Sequence, residues 1–342
     1  MQKLTAIVSQ MGISADFLLK LPGVNGVDVG YKYVKGERTR EIAIRVLVTR
    51  KRKTVPPKER IPAMINGFKT DVIQRKVVPL IVKKAVKAIA PVPDAKKYDP
   101  VRGGASIGPE RSIGGYVFAG TLGCIVKDNV SKETLLLSNF HVMAVDSSWK
   151  KGDFMAQPSL VDGGKPVTDR VGALNNAVLS SRVDGALCTL SGRKADCSIV
   201  DIGPVKGTAD PALNAPVRKR GRTTLLTYGF VDSINGTVKI DYGDGIGVKT
   251  LTNQVGIRPD TAHNTQFSDH GDSGSVVVDA GENIIGLLFA GSSDGFAYIN
   301  HISDVLSELN IQVCTAAKPP KKKKKKKDKA KKKNKKKKKD KS

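Results

Sequence analysis

The chain has 342 residues, enough for more than one domain, and 39% apolar with 5% aromatic content supports a packed core. Lys and Arg number 58 against 32 Asp and Glu, a net charge of +26. No apolar run reaches the ~18 residues that would mark a transmembrane helix, so a helical membrane protein is set aside.

The charge is unevenly spread. Residues 318–342 hold 18 Lys and 2 Asp, and residues 1–95 hold 19 basic against 7 acidic side chains. The stretch between them holds 21 basic and 23 acidic residues, so a near-neutral body carries a basic head and a strongly basic tail.

In chain order, residues 1–95 read as a small basic α+β accessory domain. A short helix is expected over 16–21, closed by Pro22-Gly23, then strands over 26–34 and 41–48 joined at Lys35-Gly36. A second short helix is expected over 61–65 and a third strand over 69–74. Residues 77–90, with Pro79 near the start, read as a basic amphipathic helix that packs on its neighbour or meets a membrane surface. Pro91 and Pro93 lead into a linker over 96–112, which Pro100 and Gly103-Gly104 punctuate.

From residue 113 to 315 the pattern is many short strands with glycine-bearing turns. These are expected over 115–118, 120–126, 135–138, 197–202, 229–234, 237–242, 275–279, 284–290 and 297–302. Asn235-Gly236 between two alternating runs is a hairpin signal. Ser303-Asp304 offers an N-cap for a short closing helix to Leu309. The tail, 316–342, cannot bury a core and repels itself, so disorder is expected. It would hold nucleic acid or another anionic surface non-specifically through counterion release, or serve only as a solubilising extension.

Cys124, Cys188, Cys197 and Cys314 lack Cys-x-x-Cys spacing and are expected as buried free thiols. The apolar part of residues 1–10 is short for a secretory signal, and a cytoplasmic location is expected. His141, His263, His270 and His301 show no ligand spacing, so no metal or cofactor is expected.

Chemistry concentrates in Gly271-Asp-Ser-Gly-Ser275. Two glycines around Ser273 suit a nucleophile on a tight turn, although the same residues also suit an ordinary glycine-rich turn. A serine hydroxyl needs a base, usually a histidine oriented by a buried carboxylate. His141 follows the apolar run Leu135–Leu137. Asp196 opens Asp-Cys-Ser-Ile-Val200, and Asp184, in Val-Asp-Gly-Ala-Leu187, is a rival carboxylate. His270 is a rival base.

The order His141, Asp196, Gly-Asp-Ser273-Gly, each beside short strands, resembles the trypsin/chymotrypsin-like serine peptidases. Ala119-Gly-Thr-Leu-Gly-Cys124, Gly221-Arg-Thr-Thr224 and Gly286-Leu-Leu-Phe-Ala-Gly291 are similar to intracellular bacterial members. The likeness spans about residues 103–312. It implies an all-β fold of two six-stranded β-barrels with the site between them, beside the small α+β domain and the Lys-rich tail. It implies Ser273 as nucleophile, His141 as general base, Asp196 as orienting carboxylate, and the Gly271 and Ser273 amides as an oxyanion hole. The implied substrate is a polypeptide, cleaved as by a serine endopeptidase.

Phe267 stands where a Lys/Arg-specific relative would carry an aspartate, and Gly291 would line the same pocket. An apolar or small preferred side chain follows, and the pocket is not built for Lys or Arg. The competing reading is a non-catalytic polyanion-binding protein on a protease-like scaffold.

Overall fold

The computed structural model describes residues 2–85, 94–243 and 245–315. The Lys-rich tail lies outside them, as do the last residues of the stretch expected as a helix over 77–90. Among the described residues no helix is long and apolar enough to cross a membrane.

The N-terminal unit opens with one long helix, Gln2–Lys20, where only 16–21 was expected. Its buried side chains Ile7, Met11 and Leu18 recur on one face and pack on Val27, Val29, Ile44 and Val46. Strands Val24–Val34 and Glu37–Val48 form a hairpin turning at Lys35-Gly36, both in the left-handed region (φ 53° and 86°). Phe68–Gln74 joins Glu37–Val48 in parallel. No helix forms over 61–65. A single 3-10 turn, Pro57–Glu59, precedes the short strand Met64–Ile65, which pairs with Phe68–Gln74.

Two closed rings of strands follow. In the first, Tyr116–Thr121 pairs with Ser106–Pro109, and the path continues through Phe154–Ala156, Arg170–Leu179, Asp184–Thr189, Thr134–Ser138 and Cys124–Asp128. Tyr116–Thr121 and Cys124–Asp128 are halves of one bent run, so the path returns on itself as a six-stranded barrel. At the bend the Leu122 N–H bonds the Ala105 carbonyl and the Gly123 N–H the Leu137 carbonyl, both at 2.8 Å. Ile107, Leu122, Ile125, Leu136, Val171 and Leu174 fill its interior.

The second ring runs Pro216–Gly221, Leu225–Asp241, Val248–Pro259, Ala297–His301, Asn283–Ser292, Val276–Asp279 and back to Pro216–Gly221. Its core includes Val231, Val255, Ile257, Phe267, Val277 and Leu288. The fold is therefore the all-β pair of barrels expected, with the α+β unit attached.

Several local expectations fail for non-local reasons. Asn235-Gly236 is not a hairpin turn but lies inside the 17-residue strand Leu225–Asp241. Val248–Pro259 pairs along one edge of that strand and Val24–Val34 along the other, which preserves ladder bonds that a turn would give up. The positive φ at Asn235 (51°) is accommodated as a bulge, where the register shifts.

The expected linker over 96–112 contributes strands Val101–Gly103 and Ser106–Pro109. The expected helix over 77–90 begins instead as strands Val77–Pro79 and Val82–Ala85. The closing helix, Ile302–Leu309, is capped by His301 rather than Ser303, the imidazole accepting from the Ser303 N–H.

Cysteine state also departs from expectation. Cys197 and Cys314 form a disulfide, and Cys124 and Cys188 are buried free thiols. The disulfide joins residues 117 apart, a spacing that sequence alone cannot assign. Burial pushes the Cys124 thiol up to about 12 and that of Cys188 higher still. Neither should alkylate in the native protein at pH 8. Unfolding without reductant should expose two thiols and unfolding with reductant four. Four without reductant would refute the disulfide.

Candidate active site

Ser273 sits in a loop fixed almost entirely by buried polar contacts. The Asp272 carboxylate accepts from the Thr223 N–H (2.9 Å), the Thr224 N–H (3.1 Å) and hydroxyl (2.6 Å), and the Asp269 N–H (3.0 Å). The Lys219 ammonium lies 3.3 Å from it, and both side chains are fully buried. Burial lowers the Lys219 pKa, while Asp272 pulls the other way.

On either side of the serine, the Thr121 N–H bonds the Ser273 carbonyl (2.7 Å) and the Gly274 N–H bonds the Leu288 carbonyl (2.8 Å). Gly271 and Gly274 have φ of 97° and 93°. Space imposes the same demand, since a Cβ at Gly274 would strike the Thr121 carbonyl.

His141 occupies the one-turn helix Phe140–Met143, directly after strand Thr134–Ser138. Its Nδ1 lies 2.6 Å from Asp184 Oδ2, and its backbone N–H reaches Asp184 Oδ1 at 3.2 Å. Asp184, not Asp196, is thus the carboxylate that meets the imidazole. Strand Asp184–Thr189 pairs with the strand that ends before His141, which brings the two side chains together. Asp196 lies on Ala195–Ile199, which pairs with Val101–Gly103 instead, and it forms a part-exposed ion pair with Arg102 at 3.0 Å.

Asp184 is held from every side. Tyr242 donates its hydroxyl to Oδ2 at 2.8 Å, Asn300 Oδ1 accepts the Asp184 N–H at 3.1 Å, and the Asn139 amide donates to the Asp184 carbonyl at 2.6 Å. Burial first, and the Asp184 charge second, push the Tyr242 phenol well above its usual range, so it remains a neutral donor. With Asp184 accepting at Nδ1, the proton belongs there and the Nε2 lone pair is left as the basic atom.

His141 and Ser273 are both buried, at 1% and 0% exposure. Val142, next to His141 in the chain, and Ser273 both border Gly120, where an added Cβ would strike the Val142 side chain and approach the Ser273 carbonyl to 2.9 Å. Ser273 Oγ donates to the Phe289 carbonyl at 3.2 Å, and His141 Nε2 has no hydrogen-bond partner. A serine–histidine hydrogen bond that is absent in a resting site commonly forms only with substrate in place.

The remaining expected residues divide. The Gly271 N–H donates to the carbonyl of the chain's own Leu80 at 2.9 Å. Gly291 faces the same leucine, since a Cβ there would lie 2.9 Å from Leu80 Cδ2. Phe267 is fully buried in the apolar cluster that also contains Leu80. His270 stands beside the cleft with Nδ1 3.1 Å from the Ile81 carbonyl. The sequence reading missed Tyr242, Asn300, the Lys219–Asp272 pair and the segment that fills the cleft.

No protein-family model matches the chain, and no curated protein does. Among solved structures, Thermobifida fusca Protease A is 18% identical with a TM-score of 0.46, over 63% of this chain and 98% of its own. A glutamic acid specific serine protease is 21% identical with a TM-score of 0.47, over 63% and 100%. The chymotrypsin of Cellulomonas bogoriensis is 17% identical with a TM-score of 0.45, over 63% and 99%.

Proposed function

We propose that this chain is a serine endopeptidase in which Ser273 is the nucleophile, His141 the general base and then acid, and Asp184 the orienting carboxylate. The observation that carries the reading is the Asp184–His141 contact next to the Ser273 loop. Asp184 holds both His141 Nδ1 and its backbone N–H, and the Val142 side chain, next to His141 in the chain, and the Ser273 carbonyl both border Gly120.

On this reading Ser273 Oγ adds to the scissile carbonyl while His141 takes its proton. The Gly271 N–H, with that of Ser273, stabilises the developing oxyanion, a contribution of about 3–4 kcal/mol per donor in serine peptidases. His141 returns the proton to the leaving amine, and water then resolves the acyl-enzyme. The preferred residue before the cut is apolar, because Gly291 leaves room against a buried apolar cluster that contains Phe267. The Cys197–Cys314 disulfide favours an oxidising compartment over the cytoplasmic one expected from sequence.

A fluorophosphonate probe tests the assignment. It should label the protein, or a variant with residues 77–82 replaced by a Gly/Ser run, and Ser273→Ala should abolish labelling without loss of circular dichroism. Absence of labelling in both folded proteins would refute the reading and leave the polyanion-binding scaffold.

A further inference from the structure

The chain's own residues 77–82 run from the second barrel to the first, between strands Val77–Pro79 and Val82–Ala85. Val77, Val78 and Pro79 pair antiparallel with Ser292, Gly291 and Ala290 of the second barrel. The ladder continues one residue further, where the Leu80 N–H reaches the Phe289 carbonyl at 3.4 Å. The Leu80 side chain is 4% exposed, within the core cluster of the second barrel. Its carbonyl accepts from the Gly271 N–H at 2.9 Å, two residues from Ser273.

Beyond that carbonyl the chain changes barrels. His270 Nδ1 meets the Ile81 carbonyl at 3.1 Å, and Val82–Ala85 pairs antiparallel with Ala119–Tyr116 of the first barrel. One continuous run is therefore held on the second barrel up to Leu80 and on the first from Val82 onward. The peptide bond in between follows the carbonyl that the Gly271 N–H holds, two residues from Ser273 in the chain. Strand pairing supplies register and the leucine supplies an apolar anchor, the combination that peptide recognition by strand addition uses.

The geometry points to the Leu80–Ile81 bond as the chain's own cleavage site, cut in cis by Ser273. The inference rests on the peptidase assignment above and goes beyond it by naming a substrate. The Ser273 hydroxyl would add to the Leu80 carbonyl with its proton passing to His141. The C–N bond would then break with that proton delivered to the Ile81 nitrogen. Water would hydrolyse the Leu80–Ser273 ester, leaving a Leu80 carboxylate, a free Ile81 amine and the regenerated serine.

The structure also indicates which product stays. The N-terminal unit is fastened to the second barrel by the pairing of Val24–Val34 with Leu225–Asp241 and by the buried contact of Arg45 with Asp232. Arg75, just before the strap, adds an ion pair with Asp294 at 2.9 Å. After cleavage, residues 77–80 would remain seated as bound product, so the site would open to other polypeptides only when the whole unit leaves. The N-terminal unit then both delivers the first substrate and restrains the enzyme.

The experiment compares the full chain with Ser273→Ala by intact mass, N-terminal sequencing and gel filtration. The wild type should resolve under denaturing conditions into a fragment ending at Leu80 and one beginning Ile81-Val-Lys. The fragments should co-elute under native conditions, form at a rate independent of protein concentration, and be absent from Ser273→Ala. Leu80→Asp should slow the cut at this bond by at least about 100-fold, because a carboxylate would be forced into an apolar pocket. A wild-type chain that stays intact, is cut at another bond, or is cut at a rate proportional to its concentration overturns the inference. The 77–82 Gly/Ser variant separates the two readings: labelling there with no cut in the wild type removes only the self-cleavage, and failure of both removes the peptidase as well.

Discussion

Asp184→Asn is expected to lower kcat by about 10⁴-fold with little change in KM, whereas Asp196→Asn leaves both near the parental values. The measurement is hydrolysis of a Val-Val-Pro-Leu reporter peptide by the variant whose cleft has been freed of residues 77–82. The size of the effect follows from tautomer control. The two Asp184 oxygens accept from the His141 ring and backbone, which places the ring proton on Nδ1 and leaves Nε2 free to receive the serine proton. An asparagine of the same shape presents an amide donor in place of one oxygen, and the ring can answer it only by moving its proton to Nε2, where it blocks the base. Tyr242 worsens the position, because its hydroxyl also donates to Asp184 Oδ2 and its phenol stays protonated. Asp196, paired with Arg102 at 35% exposure, has no route to the imidazole. Equal losses in the two variants would refute the assignment of roles.

The proposed nucleophile and base could be picked out from sequence because their signals are local. Glycines around Ser273 are required by positive φ and close packing, and His141 follows a strand recognisable by composition alone. The carboxylate was not legible, because Asp184 and Asp196 both precede apolar strands. The choice between them is made by strand order, which brings 184–189 beside 134–138 and 195–199 beside 101–103.

The strap was lost for a related reason. Val77-Val-Pro-Leu-Ile-Val82 has no internal feature that selects strand over helix. Its conformation is set by edges contributed by residues 290–292 and 116–119, far along the chain. Asn235-Gly236 errs in the opposite direction, a strong local turn signal overruled by partners on both edges of one strand. The two barrels survived these errors because short apolar strands with glycine turns identify the class of fold even when individual boundaries slip.

Arg45→Ala should cost about 3–5 kcal/mol of stability at pH 7, measured from the shift in urea midpoint with the slope held. The guanidinium is fully buried between Asp28, at 2.6 Å through Nε, and Asp232, at 2.6 Å through Nη1. Burial by itself would lower its pKa, and the two carboxylates more than offset this, so it stays charged. Gly30 makes the room, since a Cβ there would lie 2.8 Å from the guanidinium carbon. Alanine would leave two buried carboxylates without the cation that bridges them. The pH dependence has a definite sign. In the wild type burial would raise the Asp232 pKa, Arg45 first and then Arg75 and the Tyr33 hydroxyl together outweigh that, and the value falls below its unfolded level. That contribution is present at neutral pH and is lost as pH falls through the carboxylate range. The variant lacks the Arg45 share of it, so the gap between the two proteins should narrow on acidification, and a gap that is constant or widens would refute the account. Arg45 and Asp28 belong to the N-terminal unit and Asp232 to the second barrel, so the same substitution loosens the docking that seats Leu80. Fluorophosphonate labelling of Ser273 should therefore be faster in Arg45→Ala than in the wild type at temperatures where both remain folded.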